Sequence, residues 1–506
     1  MSQFFMSKNK LSSLKVLFVA AEAYPYASVG GVGMVMYSLP KALRKIGVDA
    51  RVFIPKYALI DEEKFPLKTI HQGLEVPTGD SKTPELICNV KFFQSSDSAP
   101  VYFLENQEYY EKRANVYGYS DDPTRFALLS RGVLEFLKES EWKPDVINCS
   151  DWQTGFLPNF LKTVYKNEPV VSNIKTVFSI HSLYHQGMFD HHFISEMDFD
   201  DGKSPIAPFF SKRLNKQNFM KRGIIYSDKI TVVSETYARE ILTEEYGERL
   251  NELLRELRTK ITGIINGLDY QSFNPATDKN IVSNYNYGNL KKRLPNKIHL
   301  QKEFNLEVNE NIPLIGMVGR LDEQKGIDLL FPILEMLIRE FSVEFVIIGG
   351  GSAKYRSFFE DLSRRYPKNI GCHLTPDFTL PRHVFSGSDI FLVPSKFEPC
   401  GITQMEAMRY GSIPVVRKTG GLADTVSNFS LESNNGTGFV FERFDSYSCL
   451  GAIVRALENF KYKESWRKLI QRAMMQDFSW EASAKKYSRL YEKLVSLSSV
   501  NSLMEF

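Results

Sequence analysis

The chain has 506 residues, more than one hydrophobic core sustains, so two large domains are expected. Apolar residues at 43% and charged residues at 24% fit a globular protein in water, and 63 Lys+Arg against 60 Asp+Glu leave +3, no general pull toward nucleic acid or acidic membranes. Five scattered cysteines (Cys88, Cys149, Cys372, Cys400, Cys449) without a CxxC pair suggest a reducing cytoplasm rather than a disulfide framework, and no apolar run of about 18 residues predicts a membrane span.

In the first half, short β-branched runs occur at Lys15–Ala20, Ala50–Pro55, Leu86–Phe93, Val101–Leu104, Asp145–Cys149, Thr176–Ile180 and Lys229–Ser234, with helical spacing at Ser38–Ile46 and Thr124–Leu137. The first run, whose apolar core Val16–Ala21 is too short for a secretory leader, precedes the turn Val29-Gly30-Gly31-Val32. Polar residues follow two later strands: Asp151 after Asp145–Cys149, and His181 after Thr176–Ile180. The acidic pair Asp198-Phe-Asp200 lies in a polar stretch and reads as a solvated loop.

The segment Asn266–Asp278 is rich in Asn, Gly, Pro and Asp and reads as the linker. Beyond it strands are expected at Leu314–Gly319, Phe345–Gly349, Ile390–Pro394 and Pro414–Arg417, with helical patterns at Leu329–Glu340 and Ala353–Arg365. Alternating strand and helix patterns predict two doubly wound, Rossmann-like parallel sheets facing a central cleft. The domains are expected at 1–270 and 271–478, with a helical segment 479–506 returning to the first.

Three loops in the second half suit a diphosphate. Gly319-Arg320-Leu-Asp-Glu-Gln-Lys325-Gly326 offers two cations at a strand's carboxyl end, where fixed positive charge stabilises a departing anion. Phe397-Glu398-Pro-Cys400-Gly401 leads into a helix carrying Glu406, with Gly401 expected at its start and the carboxylates able to bond sugar or ribose hydroxyls. Lys418-Thr419-Gly420-Gly421-Leu422 reads as a strand, Gly-Gly turn and helix, in which bare N–H groups and a helix N-terminus attract phosphate; Asp424 is expected in that helix's first turn. The turn echoes Val29–Val32. Gly31-x-Gly33-x-x-Met36 and Gly349-x-Gly351-x-x-Lys354 lack the third glycine of a dinucleotide fingerprint, and no GxxxxGK[ST] is present. No metal-ligand cluster stands out, so no metal or other cofactor is expected, and the leaving diphosphate is left to Arg320, Lys325 and backbone amides.

Together Lys15–Ala20, Arg125–Arg131, Asp151-Trp152, Gly263–Tyr270, Arg320–Gly326, Phe397–Gln404, Lys418–Val426 and Gln476–Glu481 resemble the bacterial glycogen synthases and plant starch synthases, over nearly the whole chain. The resemblance implies a two-Rossmann (GT-B) retaining glycosyltransferase that moves glucose from ADP-glucose to the non-reducing end of an α-1,4-glucan or malto-oligosaccharide. It implies that Arg320 and Lys325 bind the donor diphosphate and that Glu398 lies against the transferred glucose. Gly30, Gly31, Cys400, Gly401, Glu406, Thr419, Gly420, Gly421 and Leu422 would line the donor, Gly420 and Gly421 with their amides. His181 and Asp151 match an active-site histidine and aspartate. The chain departs from the family pattern at Ser28, where a lysine is usual, at Met34, where an aspartate is usual, and at Pro376 and Glu406, where tyrosines are common. Those departures keep two alternatives open: another donor such as UDP-glucose or another acceptor, and a glucan-binding protein with little activity.

Overall fold

The structure, a computed structural model, describes residues 13–188 and 194–503; the outermost residues of the two expected terminal spans, 1–12 and 504–506, lie outside it. The chain forms two compact units. One contains 13–188 and 194–232, 241–264 and the helix Trp480–Leu503; the other contains 233–240 and 265–479.

The first unit is built on nine strands: β1 (Lys15–Val19), β2 (Asp49–Pro55), β3 (Lys68–Pro77), β4 (Glu85–Phe93), β5 (Val101–Glu105), β6 (Val146–Ser150), β7 (Lys175–Ile180), β8 (Lys229–Val232) and β9 (Ile261–Gly263). They lie in the order β3-β4-β5-β2-β1-β6-β7-β8-β9. From β5 to β9 every pairing is parallel. Continuous apolar runs such as Val16–Val19, fully buried, are what strands covered on both faces require. The edge corrects the expectation of a purely parallel sheet, because β3 and β4 run antiparallel to their neighbours. β3 escapes sequence reading because it is half polar, largely exposed and broken by Gly73, which adopts a positive φ where the register shifts.

The second unit has six strands, β10 (Leu314–Val318), β11 (Glu344–Ile348), β12 (Ile370–His373), β13 (Ile390–Val393), β14 (Ile413–Arg417) and β15 (Phe439–Phe441), all parallel. Their order is β12-β11-β10-β13-β14-β15, the 3-2-1-4-5-6 arrangement of a Rossmann sheet. The direction of winding reverses between β10 and β13, and in the first unit between β1 and β6. At such reversals the loops leaving adjacent strands part, and a crevice opens beyond their carboxyl ends.

Candidate functional site

The residues expected to act on the donor, Glu406 apart, lie in loops or at helix starts beyond the carboxyl ends of strands. In the second unit Arg320 and Lys325 follow β10, Glu398, Cys400 and Gly401 follow β13, and Thr419–Leu422 follow β14.

Asp322 caps the short turn Glu323–Lys325 by accepting from the Lys325 N–H (3.2 Å). Gly326 then turns at positive φ against β13; a Cβ there would sit 2.1 Å from the Pro394 carbonyl oxygen. This fixes Lys325, whose Nζ donates to Glu398 Oε2 at 2.6 Å, and the Ser395 hydroxyl donates to the same oxygen at 3.0 Å. Both charged side chains are mostly buried, so their attraction is little screened. Arg320 differs: its side chain is 70% exposed and pairs with Asp322 (3.0 Å) and the Gln324 amide oxygen (3.0 Å). Such an exposed pair is weak, which leaves the guanidinium able to swing to a ligand.

The backbone around Glu398 is bonded to the glycine turn. Gly421 N–H donates to the carbonyls of Glu398 (3.1 Å) and Pro399 (3.2 Å). A Cβ on Gly420 would meet the Glu398 carbonyl oxygen at 2.0 Å, and one on Gly421 the Cys400 oxygen at 1.8 Å. The glycines are therefore required by close packing of two backbones, and the Gly421 amide is already bonded within the protein. The Gly420 amide is held by a residue the sequence did not signal: Glu240, at the end of the helix Glu235–Glu240. Its carboxylate accepts from Gly420 N–H (3.0 and 3.1 Å) and from Thr419 Oγ1 (2.9 Å). Burial raises the Glu240 carboxyl above its ordinary range while the Gly420 amide opposes that shift. The turn thus holds an anion, one supplied by the chain itself. Asp424 lies near the end of the helix Gly420–Thr425, not in its first turn, and accepts from Thr236 N–H (2.8 Å) and Oγ1 (2.6 Å). The Ser234 hydroxyl donates to the Pro399 carbonyl (2.7 Å).

Cys400 is buried, and burial pushes its thiol up to about 12, so it packs as a neutral group rather than a nucleophile. Gly401, at positive φ, lies two residues before the helix Thr403–Arg409 rather than at its start. On that helix Glu406 is not a solvated side chain: burial pushes its carboxyl up to about 7, against the pull of Arg382.

In the first unit Gly30 and Gly31 begin the helix Gly31–Lys45 beyond β1. Glu22, buried and equally unsignalled, accepts from the N–H groups of Val29 and Gly30, the latter at 3.0 Å. The echo between the two Gly-Gly turns is thus structural: each precedes a helix and each is closed by an internal carboxylate. The Ser28 hydroxyl folds back over Gly33. Asp151 follows β6 at positive φ, and its carboxylate accepts from the N–H groups of His181 (2.7 Å) and Ser182 (3.4 Å). Burial raises the Asp151 carboxyl, opposed first by His181. His181 Nε2 is buried with no hydrogen-bond partner among the described residues. The solvated-loop reading holds for the exposed Asp198 but is corrected for Asp200, which is buried and bidentate to Arg222 (2.8 Å each) and therefore structural.

The family profile described as the starch synthase catalytic domain matches residues 15–256, and that described as glycosyl transferases group 1 matches residues 300–473. The chain is 43% identical over 487 residues to a glycogen synthase of Clostridium acetobutylicum, covering 94% of this chain and 99% of that protein. It is 42% identical over 485 residues to a glycogen synthase of Clostridium perfringens, covering 95% and 98%. Among solved structures it is similar to the catalytic domain of starch synthase IV from Arabidopsis thaliana bound to ADP and acarbose, with a TM-score of 0.81 and 32% identity over 96% of this chain and 100% of that one. With two Rossmann sheets and identity sustained across nearly its whole length, this chain belongs to the glycogen synthase and starch synthase family of GT-B glycosyltransferases.

Proposed function

We propose that the protein transfers glucose from ADP-glucose to the 4-hydroxyl at the non-reducing end of an α-1,4-glucan, with retention of configuration, in the cytoplasm. The observation that carries this is the continuity of the second unit's loops. Glu398 holds Lys325 through its side chain, and its backbone carbonyl bonds the Gly420–Gly421 turn. One cation, one carboxylate and one anion-holding turn therefore move as a single piece.

As the bond from the anomeric carbon to the donor's terminal phosphate breaks, negative charge grows on the phosphate oxygens. Lys325 and Arg320 are the groups that meet it, and preorganised charge of this kind is worth several kcal/mol in the transition state. Glu398 keeps Lys325 aimed; when the diphosphate engages that lysine, the carboxylate is released toward the sugar hydroxyls. No metal is assigned to this step. In the first unit, Asp151 accepts from the two consecutive N–H groups just beyond β7 and so fixes the backbone of His181, whose Nε2, without a partner among the described residues, is a polar group suited to a sugar hydroxyl. The family relationship supports the reaction, and the solved relative bound to ADP and acarbose supports an adenine donor and a glucan-like acceptor.

A second donor, UDP-glucose, is the reading favoured by Pro376, whose ring packs against Gly350, a Cβ there lying 2.9 Å from Pro376 Cδ. The resemblance to the family implies a tyrosine at this position, where this chain has a proline ring. Labelled glucose incorporation should be measured with ADP-glucose and UDP-glucose, each on glycogen and on maltoheptaose. Higher kcat/KM with ADP-glucose is expected. Preference for UDP-glucose would replace the donor, and no incorporation from either would leave a glucan-binding protein.

A further inference from the structure

The structure brings together three metal-ligating side chains that the sequence reading passed over. His299 and Glu303 sit one turn apart on the helix Leu294–Glu303, and His383 comes from the helix Leu380–Gly387, eighty positions later. One ligand atom from each lies within 4.8 Å of the other two. His383 Nδ1 is 2.9 Å from Glu303 Oε2, and His299 Nε2 is 3.9 Å from the same oxygen. The imidazoles meet edge to face with centroids 5.1 Å apart.

We propose that His299, Glu303 and His383 form a zinc site that cross-braces these two helices. Two imidazoles and one carboxylate are a ligand set typical of zinc, and three protein ligands leave the fourth tetrahedral position open to water. With zinc–ligand bonds near 2.0–2.1 Å, neighbouring donor atoms in a tetrahedron lie about 3.3 Å apart. The observed 2.9 and 3.9 Å straddle that value and the remaining pair, His299 to His383, lies within 4.8 Å, so the site closes with side-chain adjustments of at most about 1.5 Å.

A hydrogen bond from His383 to Glu303 explains one of these contacts. It does not explain why a second imidazole converges on the same carboxylate oxygen. The backbones beneath are already locked: a Cβ on Gly387 would lie 2.9 Å from both the Asn296 carbonyl oxygen and Leu300 Cβ, so the helices meet with no room between them. The ligands thus project from a rigid pair of elements, the condition for a preformed site. The neighbour of His383, Arg382, bonds Asp278 (2.9 Å) and the Tyr410 hydroxyl (2.9 Å), so metal at His383 also steadies the helix that presents Arg382 toward Glu406. The site is separate from the loops assigned to the donor.

The test is titration of tag-free, chelator-treated full-length protein with Zn2+ against a chromophoric competitor. Co2+ is used in parallel to read coordination geometry from its visible spectrum. One equivalent of Zn2+ is expected, together with an intense tetrahedral Co2+ spectrum and a Zn2+-dependent rise in Tm. His299→Ala and His383→Gln should each weaken Zn2+ at least tenfold and abolish the rise in Tm, with Glu303→Gln less severe. His299 is half-exposed and tolerates replacement, so it decides the matter if the His383 variant does not fold. Absence of a bound equivalent, or one whose affinity is unchanged in His299→Ala and Glu303→Gln, overturns the site.

Discussion

Lys325 and Arg320 share a task but not an environment, and replacing them should separate the two. Lys325→Ala leaves the Glu398 carboxylate mostly buried without its cation, a loss of about 1–3 kcal/mol. Arg320→Ala removes an exposed side chain, so Tm should be unchanged within error by differential scanning calorimetry. Both should lower kcat/KM for the donor by about a hundredfold or more, the scale for removing one preorganised charge from a transition state. Wild-type turnover at low donor concentration in both variants would remove them from the phosphate site. Ser28→Lys restores a cation beside the first glycine turn and should lower the donor KM severalfold in initial-rate assays. An unchanged or higher KM would show that the turn has another use. Gly421→Ala forces a Cβ to within 1.8 Å of a backbone oxygen, so the variant should lose several degrees of Tm or fail to fold.

At the scale of elements, the sequence shows strands where apolar runs are long and hides them where burial is partial. β1, β10, β11 and β13 announce themselves. β3 is an exposed edge, β9 is only Ile261–Gly263, and β12 and β15 are short pieces at or near sheet edges. The helix Ala353–Arg365 matches its pattern end to end, whereas Leu334–Phe341 begins late because Ile327–Leu330 forms a 3-10 turn first. The loops Gly319–Gly326, Phe397–Gly401 and Lys418–Leu422 were legible because each follows a strong strand. Glu22 and Glu240 were not, because their partners are backbone amides brought near only by folding, and a carboxylate pairing with main chain leaves no motif. The His299–Glu303–His383 cluster was hidden for a related reason, as its third member sits on another helix.

The same scale holds a pH effect. Glu344, at the start of β11, accepts from Gln301 Nε2 (2.7 Å) through one oxygen while the other has no hydrogen-bond partner among the described residues. Burial pushes this carboxyl from 4.5 up to about 7. Between those values the unfolded chain has already released the proton that the folded protein keeps. Stability contributed by this group therefore falls as pH rises through that window and levels off above about 7. Glu344→Gln should leave stability near pH 4.5 almost unchanged and raise it by about 3 kcal/mol at pH 8, measured by urea unfolding at the two pH values. An equal effect at both would show that the carboxyl is ionised throughout.

Across the whole molecule, the last helix is integral to the first unit. Tyr491 is buried against Phe18, and its hydroxyl accepts from Asn148 Nδ2 at 2.7 Å, while Glu481 pairs with Lys45 at 2.7 Å. Tyr491→Ala should cost about 3–5 kcal/mol and lower the stability of the first unit selectively. Limited proteolysis followed by mass spectrometry should find new cuts within 13–264 before any within 265–479. Simultaneous cutting in both regions would show that the two units unfold as one.

The covalent path enters and leaves the second unit twice, at 232/233, 240/241, 264/265 and 479/480. During synthesis, amino-terminal strands emerge hundreds of residues before the carboxy-terminal segment that covers them. The nascent amino-terminal sheet must therefore wait with Phe18 and Asn148 uncovered until the helix Trp480–Leu503 has emerged, whereas the segment 265–479 is already a continuous stretch able to collapse as it is made. The part of the protein synthesised first is thus the part completed last, and a stop codon as late as residue 479 would spare the second unit's sheet while leaving the first unfinished.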